Sequence, residues 1–327
     1  MTYNVVAFGG GHGLYSTLRA LTLLKQEGKV PLSITAVVGV SDDGGSSGQL
    51  RDVYPVVPPG DLRMACAALC PPSDQGQGVS IEQVLQFRFP DAPASGLAGH
   101  VVGNIVLTAL WSMGLSTTDG LTRLGSLLNL QGQVLPASTE PTVISALITN
   151  ESSEGSESPH RVVGQVAVAQ TSGTVVELFL EPADPEVGYE VIDAISSADL
   201  LVFGPGSWFT SVIPHLLIPR IRSAISRSNA LRILILNLVP GHGETARYTP
   251  SDYLDSWRTL APEIGLDYVI ADSAHDSDID QCEYSARQAG ATVIWQSLSQ
   301  STHVHDPHKL AAVLDKVRGM RRGTTWL

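Results

Sequence analysis

A short apolar run, Tyr3-Asn4-Val5-Val6-Ala7-Phe8, passes straight into Gly9-Gly10-Gly11-His12-Gly13, and Leu14, Leu18, Leu21 and Leu24 then recur at helical spacing. Strand, glycine turn, helix is the opening of a nucleotide-binding α/β unit, because backbone amides at a helix start can approach phosphate closely. The pattern returns three times. Ile34 to Val40 leads to Asp42-Asp43-Gly44-Gly45-Ser46-Ser47-Gly48-Gln49-Leu50-Arg51. Leu200 to Phe203 leads to Gly204-Pro205-Gly206-Ser207-Trp208-Phe209-Thr210-Ser211 and a helix through Ile213 to Ile225. Leu231 to Leu236 leads to Asn237-Leu238-Val239-Pro240-Gly241-His242-Gly243-Glu244-Thr245. Weaker strands at 268–270 and 292–295 and a last helix from Pro307 to Arg318 complete the alternation. It predicts an α/β fold: a mostly parallel sheet with helices on both faces. The four glycine-and-polar loops are then expected on one sheet edge, where open α/β sheets bind ligands.

The middle of the chain breaks this rhythm. Residues 162–168 and 174–180 read as paired strands around a short turn. A β-rich insertion is therefore expected near 133–182, inside a single domain spanning 1–327. The acidic, serine-rich stretch 150–160 reads as an exposed, mobile loop, and 71–80 as another loop.

The formal net charge of −12 repels phosphate backbones and argues against nucleic acid as a partner. Cys66, Cys70 and Cys282 offer no disulfide framework and no second metal-binding pair, so they read as buried free thiols. No apolar run reaches the ~20 residues of a membrane span, and no basic segment precedes the first strand. A cytoplasmic location is the expectation.

Adjacent acids, paired glycines, paired hydroxyls and an arginine within 42–51 do not build a core. Asp42, Asp43, Gly44, Ser46, Ser47 and Arg51 read instead as a polar pocket floor, although a plain Asp-Gly turn is the structural alternative. The turn at 9–13 departs from the dinucleotide fingerprint: Gly9 and Gly11 fit the first two positions, and Leu14 stands at the third. Glycine turns also occur without ligands. In Pro58-Pro59-Gly60-Asp61-Leu62-Arg63, Asp61 is a cap candidate for the helix after it. Arg63 lies at the wrong end of that helix for the dipole and calls for a partner, either Asp42 or Asp43 or an anionic ligand. His100 and Asn104, one helical turn apart and flanked by Gly99 and Gly103, can face one pocket. Gly204, Gly206, Ser207 and Thr210 form a second anion-binding loop, with helix capping as the alternative use of the hydroxyls.

Taken together these motifs resemble the YvcK family of gluconeogenesis factors. The resemblance runs in order through Gly-Gly-Gly-x-Gly at 9–13, Asp-Asp-Gly-Gly-Ser-Ser-Gly-x-Leu-Arg at 42–51 and Pro-Pro-Gly-Asp-Leu-Arg at 58–63. It continues through Gly-His-x-x-Gly-Asn at 99–104, Gly-Pro-Gly-Ser-x-x-Thr-Ser at 204–211, Gly-Glu-Thr at 243–245 and His305-Asp306-Pro307. It implies a Rossmann-like fold that binds UDP-glucose or UDP-N-acetylglucosamine, with a role in cell shape and wall synthesis on gluconeogenic carbon sources. Regulators of cell-wall synthesis and a second copy of the chain are the protein partners it suggests.

On this reading the phosphates rest on Gly10, Gly11, His12 and Gly13 and on Gly206 and Ser207. Asp42 and Asp43 bind hydroxyls or a Mg²⁺ ion shared with the diphosphate. Arg51 and Arg63 offset ligand charge, and Asn237, Glu244 and Thr245 complete the pocket. His12 replaces a small hydroxyl residue of the family, Val304 replaces a basic one, and Tyr284 is the match for a late tyrosine of the nucleotide-sugar site. The wider superfamily contains 2-phospho-L-lactate transferase of coenzyme F420 synthesis. A transferase with His100 as its base is therefore the alternative function.

Overall fold

The computed structural model describes residues 2–28, 31–72, 78–92, 95–152, 155–156, 158–239, 243–274 and 278–320. The first half runs β1 (Tyr3–Gly9), α1 (Gly11–Glu27), β2 (Leu32–Val38), α2 (Gly45–Val53), α3 (Pro59–Ala68), α4 (Ile81–Gln86), α5 (Val102–Ser112), α6 (Thr117–Leu128) and β3 (Gln133–Pro136). An insertion follows: β4 (Val143–Thr149), β5 (Glu151–Ser152), β6 (Gly155–Ser156), β7 (His160–Val163), α7 (Gln165–Ala169) and β8 (Thr174–Glu181). The α/β alternation resumes with α8 (Tyr189–Ser196), β9 (Leu200–Phe203), a π-helical turn (Trp208–Val212), α9 (Pro214–Leu217), α10 (Pro219–Arg227) and β10 (Leu231–Ile235). It ends with α11 (Pro250–Leu260), β11 (Tyr268–Asp272), α12 (Ile279–Gln288), β12 (Thr292–Gln296), the hairpin β13 (Ser299–Ser301) and β14 (Val304–His305), and α13 (Pro307–Arg318).

Seven strands form one sheet in the order β12-β11-β10-β9-β1-β2-β3, every neighbouring pair parallel. Strand order reverses between β1 and β9, so a crevice opens at their carboxyl ends. Near-continuous apolar strands fit this sheet because helices cover both faces. Val5 and Ala7 of β1 turn toward α1, α3 and α13, packing with Leu18, Leu62 and Leu314. Val6 and Phe8 turn the other way, into a second core with Ile221 and Trp257. There Phe8 and Phe203 of the paired strands stack at 4.9 Å.

The insertion departs from the expectation in three ways. β3 belongs to the main parallel sheet, so the added β-structure starts at β4. Only Val162 and Val163 of the first expected strand are extended, as the end of β7; the chain turns at Gly164 and continues as α7. The two expected partners do not pair with each other either: β7 and β8 flank β4, each antiparallel to it. The stretch read as a loop at 150–160 carries the two-residue ladder of β5 with β6, with 153, 154 and 157 outside the described residues. The loop expected at 71–80 lies outside them at 73–77. The three cysteines are buried and free. Among the described residues no helix is long and apolar enough to cross a membrane.

Candidate functional site

The loops after β1, β2, β9 and β10 all emerge at the carboxyl edge of adjacent parallel strands. At the β1/β9 switch point the loops after β1, β9 and β10 line a cavity of about 710 Å³, and the loop after β2 stays off its wall. Gly10 is the N-cap of α1, and the helix starts at Gly11 with φ 55°, a backbone that favours glycine. Gly13, one turn in, presses on the next loop: a β-carbon there would stand 2.1 Å from the Pro205 carbonyl oxygen. Thr17 Oγ1 donates to the Gly204 carbonyl at 2.9 Å and fastens the same contact. Two glycine turns that are 190 residues apart in sequence are thereby packed into one wall.

Asn237 clamps that wall from β10. Its Oδ1 accepts the Gly206 amide and its Nδ2 donates to the Gly206 carbonyl, both at 3.0 Å. Glu244 closes the far side. Oε1 accepts the Phe209 amide at 3.2 Å, while Oε2 is buried without a hydrogen-bond partner, as is Thr210 Oγ1. Burial pushes the Glu244 carboxyl up to about 7.

Asp61 enters the cavity from the first turn of α3 rather than capping that helix: Pro58 is the N-cap, and it offers no side-chain acceptor. Its Oδ2 lies 2.2 Å from where a β-carbon of Gly10 would stand. Burial first, and the Asp42 charge second, push its carboxyl up to about 7; the Gly11 amide and Arg63 pull back against them. Gly60 makes the neighbouring acid possible. A β-carbon there would meet Ser47 Oγ at 2.3 Å and Asp42 Oδ2 at 2.6 Å.

The paired acids do not act together. Asp42 Oδ1 accepts the Gly44 amide at 3.0 Å and closes a local turn. Asp43 Oδ1 accepts the Val166 amide at 3.0 Å, 123 residues away, and so holds the start of α7. Gln165, the first residue of α7, lines the cavity. Asp42 and Asp43 thus have different backbone partners, and they belong to no cluster of acids and histidines that could hold a Mg²⁺ ion among the described residues. Among the described residues no group of three or more His, Cys, Asp or Glu could hold a metal ion.

Ser46 is the hub of a separate polar network beside the cavity. Its Oγ lies 3.1 Å from His100 Nδ1 and accepts from Asn104 Nδ2 at 3.1 Å. Asn104 Oδ1 in turn accepts from Arg63 Nε at 3.3 Å, and Arg63 Nη1 donates to Gln86 Oε1 at 2.5 Å. The partner expected for Arg63 is thus a pair of neutral amides supplied by α4 and α5, not an ion-paired acid. Burial lowers the Arg63 pKa, and the Asp61 and Asp42 charges act against that.

Of the residues singled out in the sequence, the cavity brings together Gly10, Gly11, His12, Gly13, Asp61, Gly206, Ser207, Asn237, Glu244 and Thr245. Asp42, Asp43, Gly44, Ser46, Ser47, Arg63, His100, Asn104, Gly204 and Thr210 stand behind its wall or outside it. Arg51, in the last turn of α2, does not line it. Tyr284, 58% exposed on α12, is not brought to this cavity. Val304, 45% exposed, and His305 do reach it. Ser211, the last residue of the 204–211 motif, also lines it, and sequence reasoning passed over Tyr15, Ser16, Gln300 and His303, which do too. Tyr15 and Ser16 flank a motif that was singled out; Gln300 and His303 sit on the β13–β14 hairpin and carry no local signal.

A family model described as 2-phospho-L-lactate transferase CofD matches residues 5–305. A Mycobacterium tuberculosis protein bearing the gluconeogenesis-factor name is 42% identical over 322 residues, covering 97% of this chain and 91% of its own. The Bacillus subtilis gluconeogenesis factor is 33% identical over 330 residues, covering 95% of this chain and 96% of its own. A crystal structure of a UPF0052-family protein from Bacillus halodurans superposes with a TM-score of 0.81 at 31% identity, covering 96% of this chain and 99% of that one. A match of this extent in both sequence and fold means that the chain belongs to the CofD family, in the company of the gluconeogenesis (YvcK) factors.

Proposed function

We propose that this is a cytoplasmic regulatory protein whose cavity binds a UDP-linked nucleotide sugar. On this reading it acts in cell shape and wall synthesis on gluconeogenic carbon sources, through regulators of wall synthesis. One observation carries the reading: two glycine turns from adjacent parallel strands press together at the switch point, Gly13 against Pro205, and line one cavity. Its volume falls within the range of about 300–1,000 Å³ typical of small-molecule sites. Backbone amides there suit a diphosphate, and the Gln165 and Gln300 amides suit sugar and base. Calorimetry with UDP-glucose and UDP-N-acetylglucosamine tests the reading; no heat and no thermal shift with either would sink it.

A second reading, a CofD-like transferase, is favoured by one feature. Asp61, with its carboxyl near 7, lies at the cavity beside Asp42, as a general base would. Incubation with a nucleotide donor, a phospho-acid acceptor and Mg²⁺, followed by chromatography, decides between the two. Released nucleotide that disappears in Asp61→Asn establishes the transferase; an intact nucleotide sugar establishes the binding protein.

A further inference from the structure

We propose that an anionic diphosphate enters this cavity together with protons, taken up by two carboxyls, Asp61 and Glu244, that stand at the two glycine loops. The inference rests on the nucleotide-sugar reading and deepens it: binding is proton-coupled, and acidification tightens it.

The inventory of the cavity wall is the first ground. No Lys or Arg lines the cavity among the described residues. Its ionisable side chains are Asp61, Glu244, Tyr15, His12, His303 and His305. A doubly charged diphosphate therefore meets two acids and no permanent cation. Placing an ionised carboxylate beside phosphate in a partly desolvated site costs several kcal/mol, and the usual escape is protonation.

The second ground is where the acids stand. Asp61 lies against the Gly11 amide, at the start of α1, where a phosphate oxygen would be placed. Glu244 Oε1 holds the Phe209 amide of the second loop. Glu244 is only 5% exposed, yet its Oε2 has no partner, and Thr210 Oγ1 on the same turn has none either. A buried acceptor left unpaired carries its full desolvation penalty. Protonation turns Oε2 into a donor, which a ligand oxygen or the Thr210 hydroxyl can satisfy.

The surroundings decide which groups share the titration. Asp61 faces Asp42 from the start of α2, Arg63 from its own helix, and the Gly11 amide. Glu244 faces the Phe209 and Trp208 amides and the Tyr248 phenol. His305 is fixed through Nε2 to the Leu236 carbonyl at 3.2 Å, and burial holds its pKa down to about 4, so it stays neutral. His12 and His303 are the other histidines on the wall. Both carboxyls, already raised to about 7, need little further shift to take a proton when the ligand arrives.

The test is calorimetry of the full chain with UDP-glucose in buffer pairs of different ionisation enthalpy, from about pH 6 to about pH 8.5. The diphosphate diester of UDP-glucose does not itself titrate there. Uptake of about one to two protons is expected at the alkaline end, falling toward none at the acid end. Affinity should weaken about tenfold per pH unit for each proton taken up. The double variant Asp61→Asn, Glu244→Gln mimics the protonated pair; it should lose the uptake and bind at least about tenfold more tightly at alkaline pH.

Binding by the wild-type chain without proton uptake overturns the inference while leaving the nucleotide-sugar reading intact. Undiminished uptake in the double variant overturns it, because the protons would then be going to groups other than these two carboxyls. Weaker binding by a folded double variant overturns it too, because the acids would then be serving the ligand as anions. The wild-type measurement decides alone if the variant does not fold. No binding of UDP-glucose or UDP-N-acetylglucosamine at any pH removes the nucleotide-sugar reading itself and this inference with it.

Discussion

Gly13 and Pro205 touch so closely that no side chain fits between them: a β-carbon on Gly13 would stand 2.1 Å from the Pro205 carbonyl oxygen and 2.5 Å from its carbonyl carbon. Both partners are backbone, one in the first turn of α1 and the other in the loop after β9, so neither can rotate away. This contact makes one cavity of two glycine turns.

Gly13→Ala should therefore separate the loops. We expect a loss of about 2–4 kcal/mol in urea unfolding, in the range of severe overpacking. Gly45→Ala is the control. Space around Gly45 is open, so only its positive φ of 44° is strained there, at roughly 1 kcal/mol. Equal losses in the two variants would mean that the loops can part at little cost.

The pH dependence of stability should be flatter than the buried groups suggest individually. Asp61 and Glu244 have folded pKa values raised to about 7. Their contribution is full below the unfolded values near about 4 and fades as pH rises through about 7. Buried His215 and His305, lowered to about 4, contribute above their unfolded value near about 6.5 and lose that contribution as pH falls toward 4. The two trends oppose each other over the same window. Asp61→Asn with Glu244→Gln removes one of them. The unliganded double variant should then lose several kcal/mol on acidification from about pH 6.5 to about pH 4, and the wild type much less. Parallel urea-unfolding curves at both pH values would refute this balance.

Asp43 should matter to stability through α7. Its carboxylate accepts the Val166 amide, so Asp43→Ala should cost about 0.5–2 kcal/mol, the usual loss of a cap. Asp43→Asn keeps an acceptor oxygen and should recover most of it. Faster exchange of the Val166 amide in Asp43→Ala, read by hydrogen exchange, locates the effect; unchanged exchange would assign the loss elsewhere.

Ser46→Ala should be disproportionately damaging for so small a change. It removes a hydroxyl that His100 and Asn104 share and leaves Asn104 Nδ2 buried without its acceptor. A loss of about 1–3 kcal/mol is expected. In a double-mutant cycle with Asn104→Ala, strict additivity would show that the hydrogen bond contributes nothing.

Much of the architecture was legible because its signals are local. Leu14, Leu18 and Leu21 at helical spacing, and the strands Leu200–Phe203 and Leu231–Ile235 running into glycine, announce themselves within a few residues. Gln165 to Val168 mislead for the same reason. Val162-Val163-Gly164-Gln165-Val166-Ala167-Val168 reads as continuous strand, yet Gly164, at φ 101°, turns the chain and the Asp43 carboxylate then anchors a helix start. That anchor is contributed 123 residues away, beyond any local window.

The sequence by itself determined the parallel α/β sheet and the placement of four glycine-and-polar loops at its carboxyl edge, since strand polarity and loop composition are properties of contiguous residues. It also marked the adjacent acids Asp42 and Asp43 as unusual and put Asp61 and Glu244 among the candidate site residues. Only the tertiary structure decided what each acid does, because burial and neighbours set a carboxyl's charge and partners, and those neighbours come from distant segments. Packing put Asp43 on the Val166 amide, Asp61 beside Gly10, Arg63 against Asn104 and Gln86, and Tyr284 out on α12. Charge and motif alone had grouped them in one pocket; the order of strands and the absence of a β-carbon at Gly10, Gly13 and Gly60 sorted them into different places.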